Sequence, residues 1–101
     1  MSINFRELFP LVDFQEQYTF KNCFTLKDFL KEIVLIYFKD NDLRTRQACL
    51  SVYMAMRDHY PSYLEVIDQE QQERLNFDIQ KSDPKIIKLR RIVLSKLSKV
   101  A

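Results

Sequence analysis

The sequence predicts an all-α fold, a compact bundle of about four main helices with a short N-terminal helical segment, in a single domain over residues 1–101. The chain contains no glycine, where average usage would give roughly seven, so tight two-residue β-hairpins lose their favoured residue. Several stretches instead repeat apolar residues at helical spacing. With 47% apolar residues in 101, the chain can fill one hydrophobic core.

Two helix starts are marked by capping residues. Thr25 can cap a first helix, with Asp28 in the reciprocal capping-box position, and Asp42 is a suitable N-cap for a second helix over about residues 43–59. The second helix is apolar on nearly every side over residues 48–56, which predicts a central helix contacted from several directions. The first helix has one wide apolar face, formed by Leu26, Phe29, Leu30, Ile33, Val34 and Tyr37.

A third helix is predicted from the capping box formed by Ser62 and Glu65. It follows Pro61, which ends the second helix, and it runs to about Gln80. Its middle, residues 68–74, is polar all round, so we expect it to face solvent or to pair with a basic surface on another subunit or a second copy. Its inner apolar stripe consists of Leu64, Ile67, Leu75 and Ile79.

The first 24 residues carry six aromatic side chains, which we expect to fill the core rather than to form a ligand or base-stacking platform. Spacings of four residues are consistent with two short helices around Pro10. Residues 19–24 could instead be extended. The six aromatic residues are Phe5, Phe9, Phe14, Tyr18, Phe20 and Phe24.

Charge divides the chain into two unequal parts. Residues 1–80 contain nine Lys or Arg and thirteen Asp or Glu, which gives a net charge of −4. Residues 81–101 contain seven Lys or Arg and one Asp, which gives a net charge of +6. Asp83 as a cap and Pro84 at the first helical position predict a basic last helix over about residues 84–100. This asymmetry says more about partners than the whole-chain charge of +2 does.

Wound at 100° per residue, the last helix separates into an apolar arc and a polar arc. Arg90 intrudes on the apolar arc, so we expect it to extend to solvent or to find an acidic partner, and Ile92 interrupts the polar arc. The apolar arc holds Ile86, Ile87, Leu89, Val93, Leu94, Leu97 and Val100. The polar arc holds Lys88, Arg91, Ser95, Lys96, Ser98 and Lys99, with Lys85 near its edge.

Three interpretations fit this basic helix. It can be the last helix of a bundle whose cations are solvated, some of them near the acidic third helix. The same packing can present the cations to nucleic-acid phosphates, where each neutralised phosphate releases counterions and gives salt-sensitive affinity. It can also lie on a membrane surface or in a groove of a partner, although it lacks an aromatic anchor and the domain needs its apolar arc.

A second basic cluster lies in the first turn of the second helix. The helix macrodipole disfavours Arg44 and Arg46 at this place. They can face an anion such as a phosphate, which helix N-termini also bind. The alternative is pairing with Asp40 or Asp42 of the preceding turn.

The sequence predicts no cofactor, no metal site and no enzymatic activity. Without glycine there is no phosphate-binding loop and no dinucleotide fingerprint, and two Cys and one His fall short of the roughly four ligands of a structural zinc. Cys23 and Cys49 are expected to be reduced, buried thiols. Asp58 and His59 are adjacent on a helix and point about 100° apart, so they do not form an acid–base pair on one face.

The sequence also lacks signals for a membrane or for secretion. Its longest apolar run, residues 33–38, is far shorter than the roughly 20 residues that span a bilayer. The N-terminus shows no secretory pattern. We therefore expect a cytoplasmic protein that does not associate with a membrane.

The leading functional hypothesis is a small non-enzymatic accessory subunit that binds nucleic-acid backbone, RNA or DNA, within a larger complex. The alternative is a protein–protein adaptor or regulator, for example one encoded by a phage or plasmid, that acts on a larger machine without contacting nucleic acid. Self-association is compatible with both. The candidate nucleic-acid-binding residues are Lys85, Lys88, Arg91, Lys96 and Lys99, with Arg44 and Arg46 as weaker candidates.

Overall fold

Helix α3, Leu43–His59, is the element around which the others pack. The structure is a computed structural model that describes residues 3–10 and 18–101. Every residue from 48 to 56 is buried, which confirms the predicted central helix. No β-strand occurs within the described ranges, so the all-α prediction is confirmed. The other elements are α1 (Phe5–Leu8), α2 (Leu26–Lys39), a 3-10 helix (Pro61–Val66), α4 (Gln69–Gln80) and α5 (Lys85–Leu97).

The helix starts predicted at Thr25 and Asp42 are both confirmed. Thr25 Oγ1 accepts a hydrogen bond from the Asp28 N–H (3.1 Å), and the Asp28 carboxylate accepts one from the Thr25 N–H (3.1 Å). At α3, the Asp42 carboxylate accepts from the backbone N–H of Thr45 (2.9 Å) and from its hydroxyl (3.0 Å). Thr45 is buried, so this cap also satisfies a hydroxyl that has left water.

The prediction that the third helix begins at Ser62 is wrong. Residues Pro61–Val66 form a 3-10 helix, and α4 follows as a separate helix. The predicted capping box does not form, because Glu65 makes a salt bridge with Lys27 of α2 instead of reaching back to Ser62. Ile67 then leaves helical geometry (φ −110°, ψ 130°) and is buried in the core. The predicted inner stripe still packs inward, through Leu64, Ile67, Leu75 and the partly buried Ile79.

Aromatic rings from the N-terminal segment close one part of the core, as predicted. Phe29 of α2 is their common contact, with its ring centroid 5.5 Å from that of Phe5 and 5.1 Å from that of Phe20. Phe9 adds an edge-on contact to Phe20 at 5.7 Å. Helix α1 confirms one of the two predicted N-terminal helices, whereas the prediction for residues 14–18 lies largely outside the described residues.

Residues 19–24 form a turn and not an extended segment. The Cys23 N–H donates to the carbonyl oxygen of Phe20 (3.1 Å), and Phe20 adopts a positive φ of 53°. Phe24 is 80% exposed, so the expectation that it fills the core is wrong. It stays outside because rings from the N-terminal segment already occupy the space around Phe29 at the start of α2.

Helix α5 begins as predicted and ends at Leu97, somewhat earlier than expected. The Asp83 carboxylate accepts from the Lys85 N–H (2.8 Å), and Pro84 (φ −53°) precedes the first turn. The centre of the apolar arc packs inward through Ile86, Val93 and Leu97. Ile87 and Val100 were assigned to the same arc but are exposed, because they lie at its edge and beyond the helix end.

The predicted need of Arg90 for an acidic partner is met by Asp58 at the end of α3. Arg90 Nη1 lies 2.8 Å from one carboxylate oxygen of Asp58, and Arg57 Nε lies 2.9 Å from the other. Burial opposes the charge of Asp58, but the hydrogen bonds and charges of Arg57 and Arg90 hold the pKa of this carboxyl below its usual range. The pair joins α5 to the end of α3, so the charge of Arg90 is engaged within the fold.

Replacing Asp42 with alanine is expected to lower the free energy of unfolding by about 1–2 kcal/mol, because an N-cap is lost and the buried Thr45 hydroxyl loses its partner. Asn41→Ala, at the neighbouring exposed position, is the control and is expected to change stability by less than about 0.5 kcal/mol. Urea unfolding followed by circular dichroism measures both. Equal losses in the two variants would contradict the assignment of Asp42 as the cap.

Replacing Asp58 with asparagine is expected to lower the free energy of unfolding at neutral pH by on the order of 1 kcal/mol, the usual range for partly exposed ion pairs. The folded-state pKa of Asp58 is lowered, so its contribution is present above the unfolded value of about 3.9. It is lost as the pH falls through the folded-state pKa. Urea unfolding of both proteins at about pH 7 and about pH 3 should therefore show their stabilities converging at the lower pH. An undiminished difference at the lower pH would count against this role.

Candidate nucleic-acid interface

The outer face of α5 and the turn after it carry a row of cations that form no salt bridge with the described residues. Lys85, Lys88, Arg91 and Lys99 are exposed, and Lys96 is half-buried in a cleft beside α1. Within residues 3–10 and 18–101, none of these five side chains forms a salt bridge or a side-chain hydrogen bond. The five sequence-predicted residues are thus brought together on α5 and the turn after it, where they can meet an external anion.

The acidic helix α4 does not neutralise this face. Helix α4 packs on α3 through Asn76, whose side-chain oxygen accepts from the Tyr53 hydroxyl (2.9 Å) and from Arg57 Nη1 (3.0 Å). Its own salt bridge is internal and joins Arg74 to Asp78 (3.2 Å). Among the described residues no salt bridge joins α4 to α5, so the acidic and basic surfaces stay separate.

The shape of the α5 face suits a long, charged ligand. Over Lys85–Leu97 the helix extends about 18 Å, at a helical rise of 1.5 Å per residue, and Lys99 lies in the turn that follows. The short side chains of Ser95 and Ser98 are exposed between the cations, Ile92 is exposed within the face, and Ile87 is exposed at one edge of it. Of the described helices, none combines the length and the apolar character needed to cross a bilayer.

Arg46 has a structural role that the sequence did not reveal. Its Nη1 atom donates to the carbonyl oxygens of Tyr37 (2.7 Å) and Asp40 (3.2 Å) at the end of α2, and its guanidinium lies 4.0 Å from the centre of the Tyr37 ring. These carbonyls lack partners within their own helix, so Arg46 acts as a C-terminal cap of α2. Arg46 is therefore held at the end of α2, while Arg44 is exposed in the first turn of α3.

Two carboxylates near the end of α2 accept hydrogen bonds from tyrosine hydroxyls. Tyr18 donates to Asp40, and Tyr37 donates to Asp78 (2.6 Å). Burial, followed by the bonded carboxylate, raises the pKa of each tyrosine to about 12, so both hydroxyls remain donors at neutral pH.

The part of the chain that is described contains no group of three or more His, Cys, Asp or Glu placed to hold a metal ion.

The side chains most suited to nucleophilic or acid–base chemistry are not arranged for it. Both cysteines are free, as predicted; Cys49 is buried and Cys23 is half-buried. Burial raises the pKa of Cys49, and burial followed by the charge of Glu32 raises the pKa of Cys23 to about 11, so both thiols are protonated at neutral pH. His59 is exposed, and the neighbouring carboxylate of Asp58 is bound to two arginines.

Phe24 is an exposed aromatic residue that the sequence analysis assigned to the core. It occupies the position before the Thr25 cap, where an apolar side chain often packs on the fourth residue of the helix. That residue is Phe29, which is fully buried by other rings. The N-terminal segment has more aromatic residues than the space around Phe29 can hold. This excess was the signal in the sequence that one ring would stay exposed outside the core.

The chain matches no family model, no curated protein and no solved structure.

Proposed function

We propose that this protein is a small, non-enzymatic accessory subunit that binds the backbone of RNA or DNA through the outer face of α5, as part of a larger complex in the cytoplasm. The observation that carries the proposal is that five cations on α5 and the turn that follows it form no salt bridge within the described residues. These cations are Lys85, Lys88, Arg91, Lys96 and Lys99.

Phosphate binding suits this face because each cation that neutralises a phosphate releases counterions. If all five cations contact phosphates of duplex DNA, the affinity should fall by about 10²–10³-fold as the salt concentration rises from 50 to 200 mM. Contacts of this kind position a protein on the backbone and do not read sequence. The buried position of Cys49, and the engagement of Asp58 beside His59 by two arginines, support the non-enzymatic part of the proposal.

The two arginines at the start of α3 differ in how well they suit phosphate binding. Arg46 is held by the carbonyls of Tyr37 and Asp40, and moving it to a phosphate would uncap α2. Arg44 is exposed and remains a secondary candidate. The α5 cations therefore carry the proposed contact without Arg46.

A protein–protein adaptor is the second candidate, favoured by exposed apolar side chains away from α5. Leu43 is 68% exposed and Phe77 is 52% exposed. Leu43 and Lys81 line one cleft of about 250 Å³, and the Lys81 ammonium lies 4.4 Å from the centre of the Phe77 ring. Apolar surface rimmed by a cation is a common feature of protein-binding sites.

Reversing three exposed charges of α5, by Lys88→Glu, Arg91→Glu and Lys99→Glu together, is expected to abolish binding of fluorescently labelled oligonucleotides at low salt. The native protein should bind oligonucleotides of unrelated sequence with similar affinity and lose that affinity as salt rises. Fluorescence anisotropy at about 50 and 200 mM salt measures both effects.

A matched control changes the same amount of charge elsewhere, by Lys21→Glu, Lys31→Glu and Lys39→Glu, all at exposed positions. It should retain most of the affinity, and circular dichroism should show both triple variants folded. If the native protein does not bind at low salt, or if the control loses as much affinity as the α5 variant, the proposal is wrong. Co-purification of a protein partner with a native protein that binds no oligonucleotide would favour the adaptor.

A further inference from the structure

A groove with an apolar lining adjoins the C-terminal end of the basic face. One cleft, of about 260 Å³, lies between α1 and the end of α5 and includes Lys96 and Lys99. A second, of about 420 Å³, is bordered by the start of α2 and by the 3-10 helix. Ile3 and Val100 line both clefts, so the two adjoin and form a single groove.

Phe24 stands in the second cleft as an exposed ring on a fixed backbone. Its side chain is 80% exposed, but its N–H donates to the Asp28 carboxylate (3.0 Å), and the next N–H, of Thr25, donates to the same carboxylate oxygen (3.1 Å). The capping box of α2 therefore fixes the backbone at Phe24, while the ring itself stays exposed. The half-buried ring of Tyr63 lines the same cleft.

Three lysines and one glutamate line the two clefts, and the carboxylates of Glu65 and Asp28 lie beside the second. Lys96 and Lys99 lie at one end, and Lys27 lies at the other, where it is paired with Glu65. Glu7 is the acidic side chain that lines the first cleft. An exposed aromatic ring on a fixed backbone, in an apolar groove beside two lysines that form no salt bridge with the described residues, is the combination that single-stranded nucleic acids use, because bases stack on rings while phosphates follow the cations.

We infer that this groove receives unstacked bases of a single-stranded nucleic acid, with a base stacked on Phe24 and adjacent phosphates at Lys96 and Lys99. The inference rests on the proposed function and adds to it the class of ligand, single strand over duplex. A duplex keeps its bases stacked inside and can offer the α5 face only its backbone, whereas a single strand can use the backbone and the ring together. An apolar peptide fits such a groove less well, because it gains nothing from the two lysines.

The first test compares a labelled single-stranded oligothymidine with a duplex of the same length by fluorescence anisotropy. Phe24→Ala is expected to weaken single-strand binding by about five- to hundredfold, the range of one lost base–ring stack, and to leave duplex binding unchanged. Phe24→Tyr should restore single-strand binding. Phe77→Ala, which removes another exposed ring, is the matched control and should have no effect on either oligonucleotide.

The second test uses the absence of tryptophan from the chain. Phe24→Trp places a unique fluorophore at the proposed stacking position, and Phe77→Trp places one at the control position. Single-stranded oligothymidine should quench the fluorescence of the first variant and not of the second. This test needs no loss of side-chain volume, so it stays decisive if Phe24→Ala is poorly folded.

Failure of the inference differs from failure of the proposed function. Salt-sensitive binding that is equal for single strand and duplex, indifferent to Phe24→Ala and without quenching in Phe24→Trp overturns the inference and leaves the α5 face as a backbone site. Absence of binding to either oligonucleotide at low salt overturns both. Quenching of Phe24→Trp by an apolar peptide, with none by oligothymidine, assigns the groove to a protein ligand and also overturns the inference.

Discussion

The burial of α3 on every side is the constraint on which the rest of the structure depends. Its residues 48–56 are all removed from solvent, and even Ser51 satisfies its hydroxyl internally, by donating to the carbonyl oxygen of Ala48 (2.6 Å). Such a helix is stable only if several neighbours each cover part of it. Helices α2, α4 and α5 and the 3-10 helix all contact it, so each turns its apolar side toward α3 and its charges outward. The cations of α5 are exposed as a consequence of this packing.

Several arginine side chains have structural roles in this fold, whereas lysines supply most of the exposed basic face. Arginine side chains serve as fixed structural donors, with Arg46 on the carbonyls that end α2, Arg57 on Asn76 and Asp58, and Arg90 on Asp58. The planar guanidinium suits such directed bonds. Lysines, which are compact and strongly hydrated charges, supply most of the outer face of α5, where Arg91 is the one arginine of the candidate set. A surface made mainly of lysines is suited to phosphate charge more than to the edges of bases.

Local signals in the sequence were sufficient for the caps of α2 and α3, the central helix and the centre of the apolar arc of α5, because each depends on residues within a few positions of one another. Predictions failed where a distant residue intervened. Glu65 left its local capping box for Lys27, which lies 38 residues away in the sequence. Phe24 lost its place in the core to rings from another segment, and Arg46 found backbone carbonyls that only the turn between α2 and α3 brings near. The basic face is the side of α5 opposite its buried apolar arc, so the periodicity of the sequence could locate it. The groove beside it is formed by four separate segments of the chain, so it could not be predicted from local patterns.

The separation of acidic and basic surfaces bears on how the two candidate functions relate. Helix α4 keeps exposed acids such as Glu70 and Glu73, and no described salt bridge ties it to α5. A polyanion attracts the basic face and repels the acidic one, so the protein would approach nucleic acid in one orientation. The patch around Leu43, Phe77 and Lys81 involves the ends of α3 and α4 and not the α5 cations. Phosphate binding through α5 would leave that patch open to a protein, as an accessory subunit within a larger complex requires.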